Sequence, residues 1–167
     1  GAKRPIIMVG GGGWSSDVAS DLAEFAQRTG IAVCSSFRCQ DYMDNRLSTY
    51  VGHTGIAISA ALAEQIKSSD LLICLGARLG ELTTREYALV NIPNPGPKLV
   101  HIHAGAEELG RVYRPDLAIN ASASAFARAL RTVNVPAPER WQDWCAAGRA
   151  AFEADLVPQE TPGNVKL

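Results

Sequence analysis

The sequence is short of most features that mark a specialised protein. Aromatic residues make up 7% and charged residues 20% of its 167 positions, and the 16 basic and 17 acidic side chains cancel to a formal net charge of −1. With no block of Lys or Arg, the chain offers no electrostatic footprint for a nucleic acid. Its apolar runs fall far short of the roughly 20 residues that cross a bilayer, and no signal-peptide pattern opens it. Four cysteines have none of the spacings of a zinc site or a redox pair, nor do they form a disulfide framework. Cys34 and Cys74 each end an apolar run, where a buried free thiol is the ordinary outcome, while Cys39 and Cys145 stand alone. These absences lead us to expect a soluble cytoplasmic domain with neither nucleic acid nor membrane as partner. Gly1-Ala2 ahead of Lys3-Arg4-Pro5 reads as an artificial start, so we also expect a domain taken from something longer.

What is present is an alternation of short apolar runs with helical patterns. Ile6-Ile7-Met8-Val9 runs into four glycines, Gly10 to Gly13, and Ser15 or Ser16 then offers a side-chain oxygen to cap a helix. Val18, Leu22, Phe25 and Ala26 follow one helical face, and Gly30 stands where a left-handed terminator is wanted. The run Ile31 to Cys34 follows at once. Further on, Thr54 or Gly55 is expected to open an Ala-rich helix through Ala60 and Ile66. Leu71 to Leu75, Lys98 to His103 and Leu117 to Asn120 are strand candidates, and Ser122 or Ser124 starts a helix through Leu130. Continuous apolar strands alternating with helices predict an α/β fold, a three-layer αβα arrangement around a doubly wound, mainly parallel sheet of five or six strands.

We divide the chain into an α/β domain over 3–133 and a following part, 134–167. Asn134 to Pro138 reads as a linker, with Pro138 suited to a helix start. Trp141, Trp144, Cys145, Gly148 and Phe152 share one face of an amphipathic helix. That face needs a cover, supplied by the parent sheet, a neighbouring domain or a second subunit. Pro158 to Leu167 lacks periodicity and is expected to stay extended or disordered.

Three places can carry chemistry. Gly11, Gly12 and Gly13 bring backbone N–H groups to a helix start, where an anion is favoured. The spacing is neither G-x-G-x-x-G nor a phosphate loop, so a tight turn explains the glycines equally well. Trp14 is expected to cover that turn. Gly52-His53-Thr54-Gly55 allows close backbone approach, and His53 suits a ligand oxygen or a loop carbonyl. Gly76-Ala77-Arg78 ends the strand Leu71 to Leu75, at the carboxyl end where open α/β sheets bind ligands. Arg78 can pair with a phosphate, or else with Glu81 or Glu86. His101 and His103 alternate on one strand face, which is pleat geometry rather than a metal site. No catalytic residue is named, because no nucleophile has an identifiable base and no carboxylate pair is readable.

Taken in order, Lys3-Arg4-Pro5-Ile6-Ile7-Met8-Val9-Gly10-Gly11-Gly12, Gly52-His53-Thr54-Gly55, Ser69-Asp70-Leu71-Leu72-Ile73-Cys74-Leu75-Gly76-Ala77-Arg78 and Leu99-Val100-His101-Ile102-His103 with Glu107-Glu108-Leu109-Gly110 resemble the central domain of thiamine diphosphate-dependent enzymes. The likeness is to the acetolactate synthase, benzoylformate decarboxylase and pyruvate oxidase group, and covers about 3–133. It implies a parent enzyme, a lyase or transferase, whose thiamine diphosphate and Mg²⁺ are held by N- and C-terminal catalytic domains across a subunit interface, hence a homo-oligomer. Neither the cofactor glutamate nor the metal motif of those domains is found here, so the chain alone is expected to be inactive.

Such central domains bind FAD, ADP or nothing. The resemblance places Gly11, Gly12, Gly13, Gly52, His53, Gly76 and Arg78 in the nucleotide-contacting segments, with His103 beside them. His103 and Ala121 stand where the family commonly has acids, a loss of about 1–3 kcal/mol per buried acceptor. We therefore expect a scaffold role, with FAD bound weakly or not at all. The alternative is a stand-alone module binding FAD, ADP or NAD.

Overall fold

Strand β1 (Pro5–Val9) is buried over its whole length, as a continuous apolar run must be when helices cover both faces of a parallel sheet. It lies between β2 (Ala32–Ser35) and β4 (Leu71–Leu75). With β3 (Tyr50–His53), β5 (Lys98–His103) and β6 (Leu117–Asn120) they form a six-stranded sheet in the order β3-β2-β1-β4-β5-β6. Every neighbouring pair is parallel. The computed structural model describes residues 1–135 and 138–158. The doubly wound fold expected from the sequence is present, and strand order reverses between β1 and β4.

Alternation along β1 divides the interior. Ile6 and Met8 join Cys34, Leu72 and Leu99 on one face, whereas Ile7 and Val9 join Val33 and Ile102 on the other. Helix α1 (Ser16–Thr29) covers the second face with Leu22, Phe25 and Ala26. Ser15 is its cap, accepting from the Val18 N–H, and Gly30 ends it at φ 67°. Helix α3 (Ala123–Leu130) begins at Ser122 and packs beside α1.

Helix α2 (Ala60–Ser68) starts later than expected, because Ser59 is its cap. The Thr54 N–H instead extends the sheet ladder to the Ser35 carbonyl at 2.7 Å. Gly55 takes φ +132°, with the Phe37 ring where a side chain would project. Gly52-His53 accordingly lies in a strand, one that is absent from the strand candidates read from the sequence.

A 3-10 turn from Pro138 to Trp141 leads into α4 (Gln142–Asp155). The Trp141 and Trp144 indoles donate to the carbonyls of Ala2 and Pro5 at 2.9 and 3.0 Å. Gly148 fits against the Gln65 amide, and Gln65 donates to the Trp144 carbonyl at 3.1 Å. The cover for this face is the domain's own body, chiefly β3 and α2, so the tryptophans offer no free patch to a partner. The expectation for Pro158 to Leu167 falls outside the described residues beyond Pro158, as do two positions of the expected linker. Among the described residues no helix is long and apolar enough to cross a membrane.

The candidate site at the carboxyl rim of the sheet

Register brings the ends of all six strands to one rim: Val9 is level with Ser35 and Leu75, Ser35 with His53, and His103 with Asn120. At its centre the four glycines divide into two pairs. A side chain on Gly10 would strike Ser36, and one on Gly11, at φ +74°, would strike the Gly76 carbonyl. Gly76, at φ +73°, in turn faces the Gly10 carbonyl. Gly11 and Gly76 are glycine because two loops touch main chain to main chain, and Gly10 because the Ser36 side chain fills the space beside it. Gly12 and Gly13 have no neighbour within 4 Å of a would-be side chain and lie just ahead of α1, so only they leave room for a ligand.

Trp14 covers the turn as expected, donating to the Gly10 carbonyl at 2.9 Å. It stacks on Tyr42, with ring centroids 4.9 Å apart, and the Tyr42 hydroxyl donates to the Gly11 carbonyl at 2.6 Å. Burial, then the neighbouring Cys39, push the Tyr42 phenol up. Nothing in the spacing revealed Tyr42, which arrives from a separate 3-10 turn over Gln40–Tyr42.

Arg78 pairs with neither Glu81 nor Glu86. Its Nε lies 3.4 Å from Glu108, which also holds Arg111 at 2.8 Å. The chain after Gly80 turns back through Arg85, Glu86 and Tyr87, all at positive φ between 51° and 66°. That turn engages the Glu86 N–H with the Glu81 carbonyl. Phe37, Arg78, Gly80, Leu82 and Tyr87 line a cleft of about 390 Å³ beside it.

Gly52 and His53 are not brought to this group. They lie two strands from β1, where strand spacing alone separates them by about 10 Å. The His53 side chain makes no hydrogen bond among the described residues and lines a separate hollow with Leu62, Phe152 and Asp155.

On the other flank, His103 Nδ1 lies 3.0 Å from the Gly105 nitrogen and 3.1 Å from the Gly105 carbonyl oxygen. Asn120 donates to the carbonyls of His103 and Ala104. His101 is buried, with Nε2 3.1 Å from the Ala77 carbonyl, and burial lowers its pKa, so it is held neutral. Among the described residues no group of three His, Cys, Asp or Glu side chains is placed to hold a metal ion. The free cysteines are all buried. Burial pushes the thiols of Cys34 and Cys145 up to about 12 and about 11, and that of Cys74 further. Thiols so protonated are poor nucleophiles.

The rim thus has an open glycine turn, a cation and hydrogen-bonding groups, arranged on a sheet with a topological switch point. A sequence pattern described as "Thiamine pyrophosphate enzyme, central domain" matches residues 1–130. The chain belongs to that family. It is similar to the acetolactate synthase large subunit of Corynebacterium glutamicum, 26% identical over 98% of this chain and 26% of that protein. It is also similar to sulfoacetaldehyde acetyltransferase of Alcaligenes xylosoxydans, 28% identical over 93% of this chain and 27% of the relative. Glyoxylate carboligase of Escherichia coli O157:H7 is 29% identical over 74% of this chain and 21% of its own length. The central domain therefore spans about a quarter of the relatives it matches.

Proposed function

We propose that this central domain is the non-catalytic middle part of a thiamine diphosphate-dependent enzyme, an acetolactate synthase-like carboligase or decarboxylase of 2-keto acids. Its flanking N- and C-terminal domains bind the coenzyme and Mg²⁺, which supply the carbanion chemistry. The central domain holds those domains in register within a cytoplasmic homo-oligomer. Residues 3–133 form the α/β domain, and α4, from the part that follows, braces the sheet. The observation that carries this reading is the match of residues 1–130 to the family's central domain, here with a rim whose loops meet at Gly11 and Gly76. One of the three relatives named above is a carboligase by name, which supports the reaction class.

The same rim is a cradle for the adenosine diphosphate part of a nucleotide. Gly12 and Gly13 leave space for phosphate beside the α1 N-terminus, and Arg78, 60% exposed, can turn from Glu108 toward it. A flavin ring gains no partner from His53, which faces the α4 side, so FAD is held no better than ADP. The test of the scaffold reading is turnover. The chain alone, given pyruvate, thiamine diphosphate and Mg²⁺, is expected to form neither acetolactate nor acetaldehyde. Measurable turnover overturns the reading.

A further inference from the structure

We infer that a cleft at the amino rim of the sheet binds a small oxyanion, a carboxylate or a phosphate. One wall is the loop ahead of β5, Asn94 to Lys98, and the other is Arg114 to Asp116, ahead of β6. Its volume, about 490 Å³, exceeds that of the cleft beside Arg78 and falls in the usual range for small-molecule sites. The six residues of β5 put about 20 Å between this rim and the glycine turns. The site is therefore independent of the nucleotide cradle.

The walls are tied together before any guest arrives. The Arg114 N–H donates to the Pro93 carbonyl at 2.7 Å, and the Asp116 N–H to the Leu99 carbonyl at 2.8 Å. The Leu99 N–H donates in return to an Asp116 carboxylate oxygen at 2.9 Å. Pro95, Pro97 and Pro115 hold their own φ angles. A ligand is thus spared most of the cost of ordering the loops.

The lining has more donors than acceptors. Lys98 and Arg114 have no carboxylate within 4 Å, whereas Arg46, Arg78, Arg111, Arg131 and Arg149 each have one. Among the described residues the side chains of Lys98, Arg114 and Asn94 make no hydrogen bond, nor does the Gly96 N–H. Gly96, at φ +99°, has open space where a side chain would stand. Asp70, just ahead of β4, is already taken up by the N–H groups of Lys3 and Arg4 at 2.7 and 2.9 Å. Asp116 alone brings negative charge to the lining, and two cations against one carboxylate leave the cleft positive. Free donors around a positive hollow suit a guest that only accepts. Arg114 can grip two of its oxygens with a planar fork, and Lys98 adds a point charge.

Titration of the whole ¹⁵N-labelled chain with inorganic phosphate and with succinate, at low ionic strength, tests the site by amide shifts and calorimetry. Saturable shifts are expected at Gly96 and Arg114. Arg114→Gln should weaken the bound probe about tenfold, a usual loss for a hydrogen bond to a charged group, and Lys98→Gln should weaken it less. Both side chains are exposed, so both variants should keep the parent's circular dichroism. Arg128→Gln, which removes the same charge from the exposed side of α3, should bind as the parent does. Tighter binding of phosphate marks a phosphorylated ligand and tighter binding of succinate a carboxylate; either result supports the site. Shifts confined to Gly12 and Gly13, or no saturable shift at Gly96 with either probe, overturn it and leave the nucleotide cradle untouched. Equal losses in Arg114→Gln and Arg128→Gln also overturn it, since diffuse charge alone would then account for the binding.

Discussion

Strand β3 ends the sheet beneath a helix, whereas β6 ends it in the open. Along β3, Tyr50 and Val51 are buried, and α4 is tied to this flank by Arg149. The Arg149 guanidinium donates to the carbonyls of Asn45, Leu47 and Tyr50 at 2.7, 2.9 and 3.2 Å. Along β6, Leu117 is 51% exposed, and beyond its ladder with β5 the strand is pinned at its ends. Asp116 accepts the Leu99 N–H at one end, and Asn120 holds β5 carbonyls at the other. One flank is made stiff by apolar cover. The other, a strand of the same four-residue length, stays bare at its edge and lies on the side of Arg78, His101 and His103.

This contrast can be broken from the covered side. Ending the chain after Val133 strips β3 of its cover, and we expect cooperative unfolding to be lost; an unchanged thermal midpoint by circular dichroism would refute it. Trp144→Ala removes packing and the bond to the Pro5 carbonyl, a loss of about 2–4 kcal/mol by denaturant unfolding. Arg149→Met leaves three carbonyls without their shared donor, costing about 1–3 kcal/mol in the same assay.

Two smaller effects sharpen it from the open side. His101 has a folded pKa below its ordinary value near 6.5 because it is buried. The unfolded chain then takes up protons first, so stability is full above about pH 6.5 and declines as pH falls toward the lowered folded value. His101→Phe should flatten that part of the profile, read as denaturant midpoints between neutral and mildly acidic pH. Leu117→Lys on the bare strand should change stability by less than about 0.5 kcal/mol. A larger loss there would mean that β6 is less exposed in solution than here.

Elements whose signals are local were legible in the sequence. Ser15, Ser122 and Gly30 perform the capping expected of them, and the apolar runs of β1, β4 and β5 are strands. β3 was missed because Tyr-Val-Gly-His is four residues long with glycine inside, a composition that reads as a turn. It is a strand only because β2 offers a ladder and α4 a cover. The site divides in the same way. The glycines and Arg78 were found by their order along the chain. The Arg78 partner was not, since Glu108 is supplied by another strand's loop. Pairings across strands leave no spacing to read.

Because Gly11 and Gly76 meet backbone to backbone, the loops that follow β1 and β4 have no slack between them. Neither can rise or sink without carrying the other, so the height of the rim at the switch point is set once for both halves of the sheet. A guest settling on one loop would load the other without any side chain as intermediary. Bulk added at either position would act like a shim, tilting two helices rather than blocking one hole.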